Sequence, residues 1–269
     1  VLDMDKISTP IYALINSMCL DGQTLSMVLL VSKKGNPIDP IFRSNETIEL
    51  LVKPFRIEEL VQKIEILARI NSRILTKKTK FRGGIFEPKS NILINTNGKI
   101  IQRYDKIHMF DVELPNGQEF KESNIYTAGN KAIISELNVR KKIYKLGLTI
   151  CYDLRFPSLF QDLAKAGAEI IFVPSAFTKT TGKYHWHTLL KSRAIETGCF
   201  VVAPAQVGKH FINRESYGHS LIISPWGIVL ADGQTKEGII SAKIDIDEVK
   251  KTRKMMPTLS NQKKYSKKF

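Results

Sequence analysis

Residues 146–155 read Leu146-Gly-Leu-Thr-Ile-Cys151-Tyr-Asp-Leu-Arg155, an apolar run that ends in a cysteine and passes at once into polar and charged residues. A short Leu- and Ile-rich run bounded in this way predicts a buried strand. A cysteine at the strand's end, where the chain turns outward, faces a cleft instead of packing. Similar apolar runs at 92–95, 133–137, 170–174 and 200–205 predict further strands, with a turn at Thr96-Asn-Gly98. Helical periodicity marks 158–166 and 186–196, and a last hairpin is predicted through 220–223, 227–231 and 239–244. Strands outnumber helices, which predicts an α/β protein with a two-layer sheet core and helices on its outer faces.

Composition narrows the class. With 269 residues, 43% of them hydrophobic, the chain can bury a sizeable core, as one large domain or two smaller ones. Three cysteines, Cys19, Cys151 and Cys199, are too few for a disulfide framework and lack C-x-x-C spacing, which favours a reducing, cytoplasmic setting. The apolar runs, such as 27–31 and 168–175, fall short of the roughly 20 residues that span a bilayer, and no secretory leader pattern is present, so no membrane partner is expected. The formal charge of +15 is scattered through short runs such as Lys77-Lys78, Arg140-Lys141-Lys142 and the tail Lys267-Lys268, without interleaved aromatics, so specific nucleic-acid binding is not expected. The first residue is Val1, which leaves open a fragment or an unusual start.

Texture changes near residue 80, where the lysine-rich Thr76-Lys-Lys-Thr-Lys80 separates two patterns, and a boundary placed there divides the chain into 1–78 and 79–269. Before it, 27–32 and 50–52 read as strands and 57–70 as a helix with Leu60, Ile64, Leu67 and Ala68 on one face. Leu51-Val-Lys-Pro-Phe55 ahead of that helix, Ser32 closing an apolar strand, and the acids in Leu2-Asp-Met-Asp5 resemble the later half of a response-regulator receiver domain. The resemblance implies an aspartate, Asp3 or Asp5, that takes a phosphoryl group, with Ser32 and Lys53 responding to it.

From residue 82 to about 257 the chain resembles the nitrilase (carbon-nitrogen hydrolase) family, in its omega-amidase-like branch. The resemblance rests on Gly83-Gly84, Tyr104-Asp-Lys106-Ile-His-Met-Phe-Asp111, Phe120-Lys-Glu122-Ser123 with Gly129, and the Cys151 segment through Pro157. Further matches follow in order at Pro174-Ser-Ala-Phe177, Thr181-Gly182, His185-Trp186, Ser192-Arg193-Ala194, Gly218-His219-Ser220 and Pro225-Trp226-Gly227. It implies an α-β-β-α sandwich and a homodimer paired through helices and the C-terminal region. It also implies Cys151 as nucleophile, Lys106 as oxyanion stabiliser, Glu122 as the orienting carboxylate, no cofactor, and a small amide of a dicarboxylic or keto acid as substrate.

Those residue types suit amide hydrolysis. The thiolate is the nucleophile, and an ammonium such as Lys106 raises its fraction at neutral pH. Attack places charge on oxygen, which the same ammonium and the backbone N–H of Tyr152 can receive. Collapse expels ammonia and leaves a thioester for water to hydrolyse, and both halves need a proton shuttle. The family's principal glutamate belongs roughly seventy residues before the lysine, where this chain reads Gly35-Asn-Pro-Ile-Asp39-Pro. Glu87, after the double glycine, is the candidate replacement. The sequence therefore reads as a nitrilase-type fold truncated at its N-terminus and preceded by the partial receiver-like segment. Loss of the first strands opens a sheet edge unless the first segment pairs there.

The remaining candidates have plainer readings beside the functional ones. Phe177 and Trp186 line a pocket or fill the core, Asp153 and Arg155 form an ion pair that holds the turn, and Arg193 pairs with Glu196 one helical turn on. His108, His185, His187 and His219 lack the carboxylate spacing of a metal site, so no metal is expected. Three function classes stay open: an active amidase, a catalytically impaired remnant that binds or supports structure, and a receiver-hydrolase signalling hybrid. A Cys-His mechanism of papain type is a further alternative.

Overall fold

Alternation within one strand sets the architecture. In Lys142–Leu148, Leu146 and Leu148 point to one face and Gly147 to the other. A Cβ at Gly147 would lie 3.2 Å from Leu163 and from Ile171, so glycine is what lets a helix lie close on that face. The computed structural model describes the strands Ile11–Asn16, Leu25–Ser32 and Ile48–Phe55 through their backbone. It then describes Ser90–Ile94 and residues 100–268, apart from 116, 140–141 and 211–213.

Sixteen strands are present among the described residues. In chain order they are β1 Ile11–Asn16, β2 Leu25–Ser32, β3 Ile48–Phe55, β4 Ser90–Ile94, β5 Ile100–Asp105, β6 Asp111–Glu113, β7 Glu119–Lys121, β8 Ile133–Val139, β9 Lys142–Leu148 and β10 Ile170–Phe172. Then come β11 Phe200–Ala203, β12 Val207–His210, β13 Arg214–Tyr217, β14 Leu221–Ile223, β15 Val229–Asp232 and β16 Ile240–Ile244. Three α-helices accompany them: α1 Pro157–Lys165, α2 Lys179–Thr197 and α3 Asp247–Met255.

Two six-stranded sheets form, in the orders β16-β3-β2-β1-β4-β5 and β15-β14-β11-β10-β9-β8. In the second, β9, β10 and β11 run parallel and the outer pairs antiparallel. The connections β9-α1-β10 and β10-α2-β11 lay α1 and α2 on this sheet, as the predicted helices require. Leu93 and Tyr104 of the first sheet share one buried cluster with Leu137, Leu146, Phe172, Val202 and Ile222 of the second, so the core lies between sheets. The helix predicted at 57–70 lies outside the described residues, as do Asp3, Asp5, Glu87 and the turn at 96–98.

The predicted strands fall where expected, with two differences. Residues 239–244 do not continue the last hairpin: β16 leaves β15 and pairs antiparallel with β3, Ile240 opposite Val52, in the other sheet. The strands of the first segment all pair antiparallel, β1 with β2 and β4, and β2 with β3. A receiver-like half would instead run its strands parallel; apolar runs alone do not distinguish the two. This segment thus occupies the place between β4 and β16 that would otherwise be an open edge. No helix among the described residues is long and apolar enough to cross a membrane.

Candidate active site

The parallel ladder carries Cys151 to its position. Beyond β9, Thr149 N–H donates to Phe172 O (3.1 Å) and Cys151 N–H to Pro174 O (3.0 Å), after which the chain breaks into a 3-10 helix, Cys151–Arg155. Cys151 itself has φ +48, a left-handed conformation that costs a non-glycine residue about 1–3 kcal/mol and recurs at functional turns. Its side chain is a free thiol with 9% exposure, at the limit of the core.

Lys106 follows directly on β5 and is 1% exposed, with its Nζ bonded to the Glu122 carboxylate. A buried ammonium without a partner would be very costly, so Glu122 explains how the lysine is tolerated there. The β6–β7 hairpin sets that partner in place. Asp111 pairs with Lys121, which leaves Phe110 and Glu122 facing each other, and Phe110 N–H donates to Glu122 Oε2 at 2.7 Å. Gly129 N–H donates to Lys106 O, and a Cβ at Gly129 would fall 2.2 Å from Asp105 O, so only glycine allows that approach.

Asp153 ties the lysine segment to the cysteine turn. Fully buried, it accepts from Tyr104 Oη (2.6 Å) and Ile150 N–H (2.9 Å) on Oδ2, and from His108 N–H (3.1 Å) on Oδ1, with His108 Nδ1 2.7 Å away. Tyr104 and His108 flank Lys106 by two residues on either side. Burial, and next the Asp153 charge, push the Tyr104 phenol far above its ordinary range, so it remains a donor. Asn91 of β4 adds a second tie, its Nδ2 donating to Thr149 O at 3.3 Å.

This corrects the expected Asp153–Arg155 pair. Arg155 turns away, over the rings of Phe177 (5.2 Å) and Tyr152 (5.8 Å), and its Nη2 lies 3.2 Å from His185 Nδ1. Among the described residues it has no carboxylate partner. Burial lowers its pKa from the usual arginine value, and burial followed by the Arg155 charge lowers that of His185, which favours the neutral ring. Phe177 is buried and packs on Trp186 at 4.9 Å, so it fills core while offering its face to Arg155. Tyr152 stands edge-on to Phe110 and Phe156.

Arg193 forms the expected pair with Glu196 (2.7 Å), and its Nε also donates to Leu154 O (2.9 Å), holding the 3-10 helix from behind. That second bond, the Asn91 tie and the Asp153 hub escape sequence reasoning, because their partners lie 39 to 58 residues apart. His187 and His219, which the sequence shows without a carboxylate at suitable spacing, both approach Asp232.

The geometry agrees with what the chain is similar to. A deaminated glutathione amidase of Synechocystis sp. is 46% identical over 170 residues, covering 63% of this chain and 62% of that relative. The deaminated glutathione amidase of Rattus norvegicus is 43% identical over 173 residues, 64% of this chain and 52% of that one. The chain thus spans roughly half to three fifths of the length of these curated relatives. The crystal structure of the C. elegans NitFhit protein superposes with a TM-score of 0.60 at 34% identity, covering 75% of this chain and 53% of that one. Residues 58–254 match the carbon-nitrogen hydrolase profile, nearly three quarters of the sequence, and the chain belongs to the carbon-nitrogen hydrolase family.

Proposed function

We propose that this chain carries the working site of an omega-amidase-like hydrolase that cleaves the carbon–nitrogen bond of a small amide through a thioester on Cys151. The observation that carries the proposal is the Asp153 hub, which joins the buried Lys106–Glu122 pair to a cysteine held in a left-handed turn. The Cys151 thiolate attacks the amide carbon, and the oxyanion is received by Lys106 Nζ and the Tyr152 N–H, which lies in the first helical turn where backbone donors lack intrahelical acceptors. The thiol's proton, carried by the shuttle, passes to the amide nitrogen as the C–N bond breaks and ammonia leaves; water then attacks the thioester, giving one proton to the shuttle and from it to the departing sulfur, which releases the acid and restores the thiol. Glu122, occupied by Lys106 and Phe110, positions the ammonium, which leaves Glu87 as the candidate shuttle. Arg155, free of carboxylate partners among the described residues and seated over Tyr152 and Phe177, suits the carboxylate of an omega-amide. This chemistry calls on no cofactor.

The division at 1–78 and 79–269 is kept in the same proposal as a boundary of sequence texture at the lysine-rich stretch 76–80, across which β1–β3 complete the sheet of β4, β5 and β16. A cytoplasmic setting is supported by the free thiols Cys151 and Cys199. Exposed Ile195, Trp226 and Ile228, clustered where Gly227 abuts Ile195, support pairing of two copies. A second reading, a remnant that acylates without turning over, rests on Glu122 being occupied by Lys106 and Phe110 and so not serving as the shuttle.

The test is ammonia release from a panel of small omega-amides by the full chain, with Cys151→Ala as control. Release that vanishes in the control supports the amidase, a trapped acyl adduct without turnover supports the remnant, and neither release nor adduct refutes both.

A further inference from the structure

Three side chains from separate elements converge beside α2. His187 sits on α2, His219 in the turn between β13 and β14, and Asp232 at the end of β15. Asp232 Oδ2 lies 3.1 Å from His219 Nδ1 and 3.4 Å from His187 Nε2, and the three ligand atoms are all within 4.8 Å of one another. A zinc-class ion with bonds near 2.0–2.2 Å has tetrahedral edges of roughly 3.3–3.6 Å, so the Asp232–His187 edge already has the required length and the Asp232–His219 edge needs to open by about 0.2 Å.

The surroundings hold this arrangement. Asp232 Oδ1 accepts from Gln234 N–H at 2.7 Å, an outer bond that orients the carboxylate. His219 and Gln234 both adopt left-handed backbone (φ +55 and +51) and are joined by His219 N–H donating to Gln234 O at 2.6 Å. Trp186 Nε1 donates to His219 O (2.7 Å), and the Tyr217 ring stacks on the His219 ring at 4.5 Å, so the imidazole is wedged in place. Strained backbone at a histidine facing a second histidine and a carboxylate needs an explanation, and the hydrolase chemistry uses none of these residues. The side chains are 32%, 19% and 29% exposed, which gives a hydrated ion access and leaves its fourth position to water.

We propose that His187, His219 and Asp232 form a binding site for a first-row divalent cation of the zinc class, separate from the Cys151 site. Two imidazoles and one carboxylate suit Zn²⁺, Ni²⁺ or Co²⁺ better than Ca²⁺ or Mg²⁺. Binding takes the His219 tautomer that carries its proton on Nε2 and leaves Nδ1 free for the ion, and it joins α2 to the turns after β13 and β15.

The experiment is a Co²⁺ titration of the full chain carrying Cys151→Ala, which removes the site thiolate as a competing ligand, followed by visible absorption and displacement with Zn²⁺. One Co²⁺ per chain is expected, with ligand-field bands, no thiolate charge-transfer band, and loss of the signal on adding Zn²⁺. Adding His187→Ala or Asp232→Asn should weaken binding at least about tenfold, while His185→Ala, outside the cluster, should leave it unchanged. Far-UV circular dichroism of each variant separates lost ligation from lost fold. Absence of saturable binding, a thiolate band, or equal affinity in the folded His187 and Asp232 variants would overturn the proposal.

Discussion

Asp153→Asn tests the hub on which the site depends. The carboxylate faces Tyr104 Oη and Ile150 N–H on one oxygen and the His108 N–H and ring nitrogen on the other. An amide supplies one oxygen and one NH₂ group, so one side loses its acceptor. The Tyr104 hydroxyl can turn to accept, and the His108 ring can move its proton to Nε2, but neither backbone N–H has that freedom. One N–H is therefore left facing a donor whichever way the amide settles, at about 1–3 kcal/mol. Bonds to a charged acceptor also fall from about 1.5–3 to about 0.5–1.5 kcal/mol each, while relief from burying a charge offsets part of that loss. Since His108 is 26% exposed and water can reach its side, the NH₂ settles there, and the net loss is about 2–3 kcal/mol. Urea unfolding followed by circular dichroism measures it, and Tyr104→Phe, which spares the Ile150 bond, should cost less. Coupling between the two substitutions should exceed about 0.5 kcal/mol. A loss below about 0.5 kcal/mol for Asp153→Asn would refute the idea that the hub holds the turn.

Three more expectations follow from the same structure. Lys106→Met leaves the buried Glu122 carboxylate without its ammonium partner and should cost about 3–5 kcal/mol in urea unfolding, with partial recovery on adding Glu122→Gln. Gly129→Ala drives a methyl group into Asp105 O and should lower stability by about 1–3 kcal/mol, with Ser123→Ala as an exposed comparison of little effect. The His185 ring should titrate below the ordinary value near 6.5. Its folded value is depressed, so its contribution to stability is present above about pH 6.5 and is lost as pH falls through the lowered value. Arg155→Gln should raise the midpoint only in part, because burial is the larger cause, and an unchanged ring titration by NMR would refute the Arg155 contact.

Local signals are legible where one residue's neighbours in sequence are also its neighbours in space. The strand into Cys151 and helix α1 fall within a few residues of their predicted positions for that reason. Helix α2 begins at Lys179, well before the predicted 186, because Thr178 caps it. Gly182, in its first turns, lies so close to Tyr217 that an added methyl would fall 2.4 Å from the tyrosine Cβ, and no local pattern announces that approach. The Lys106–Glu122 pair is legible through the family motifs, which encode the β6–β7 hairpin. Spacing alone makes Arg155 the natural partner of Asp153, two residues away, but a 3-10 turn points such residues in different directions, and the buried donors of β5 claim the carboxylate. Asp232 is invisible in sequence as the companion of His187 and His219, since only the fold brings β15 beside α2.

The pairing of β16 with β3 also governs how the chain can acquire its structure. Val52 must wait for Ile240, about 190 residues later, which at 5–20 residues per second is roughly 10–40 s of synthesis. Through that interval the β3 edge has no native neighbour, and closing so long a loop makes the pairing intrinsically slow. Chains released before residue 240 would carry that edge permanently, so incomplete translation products should aggregate where the full chain does not.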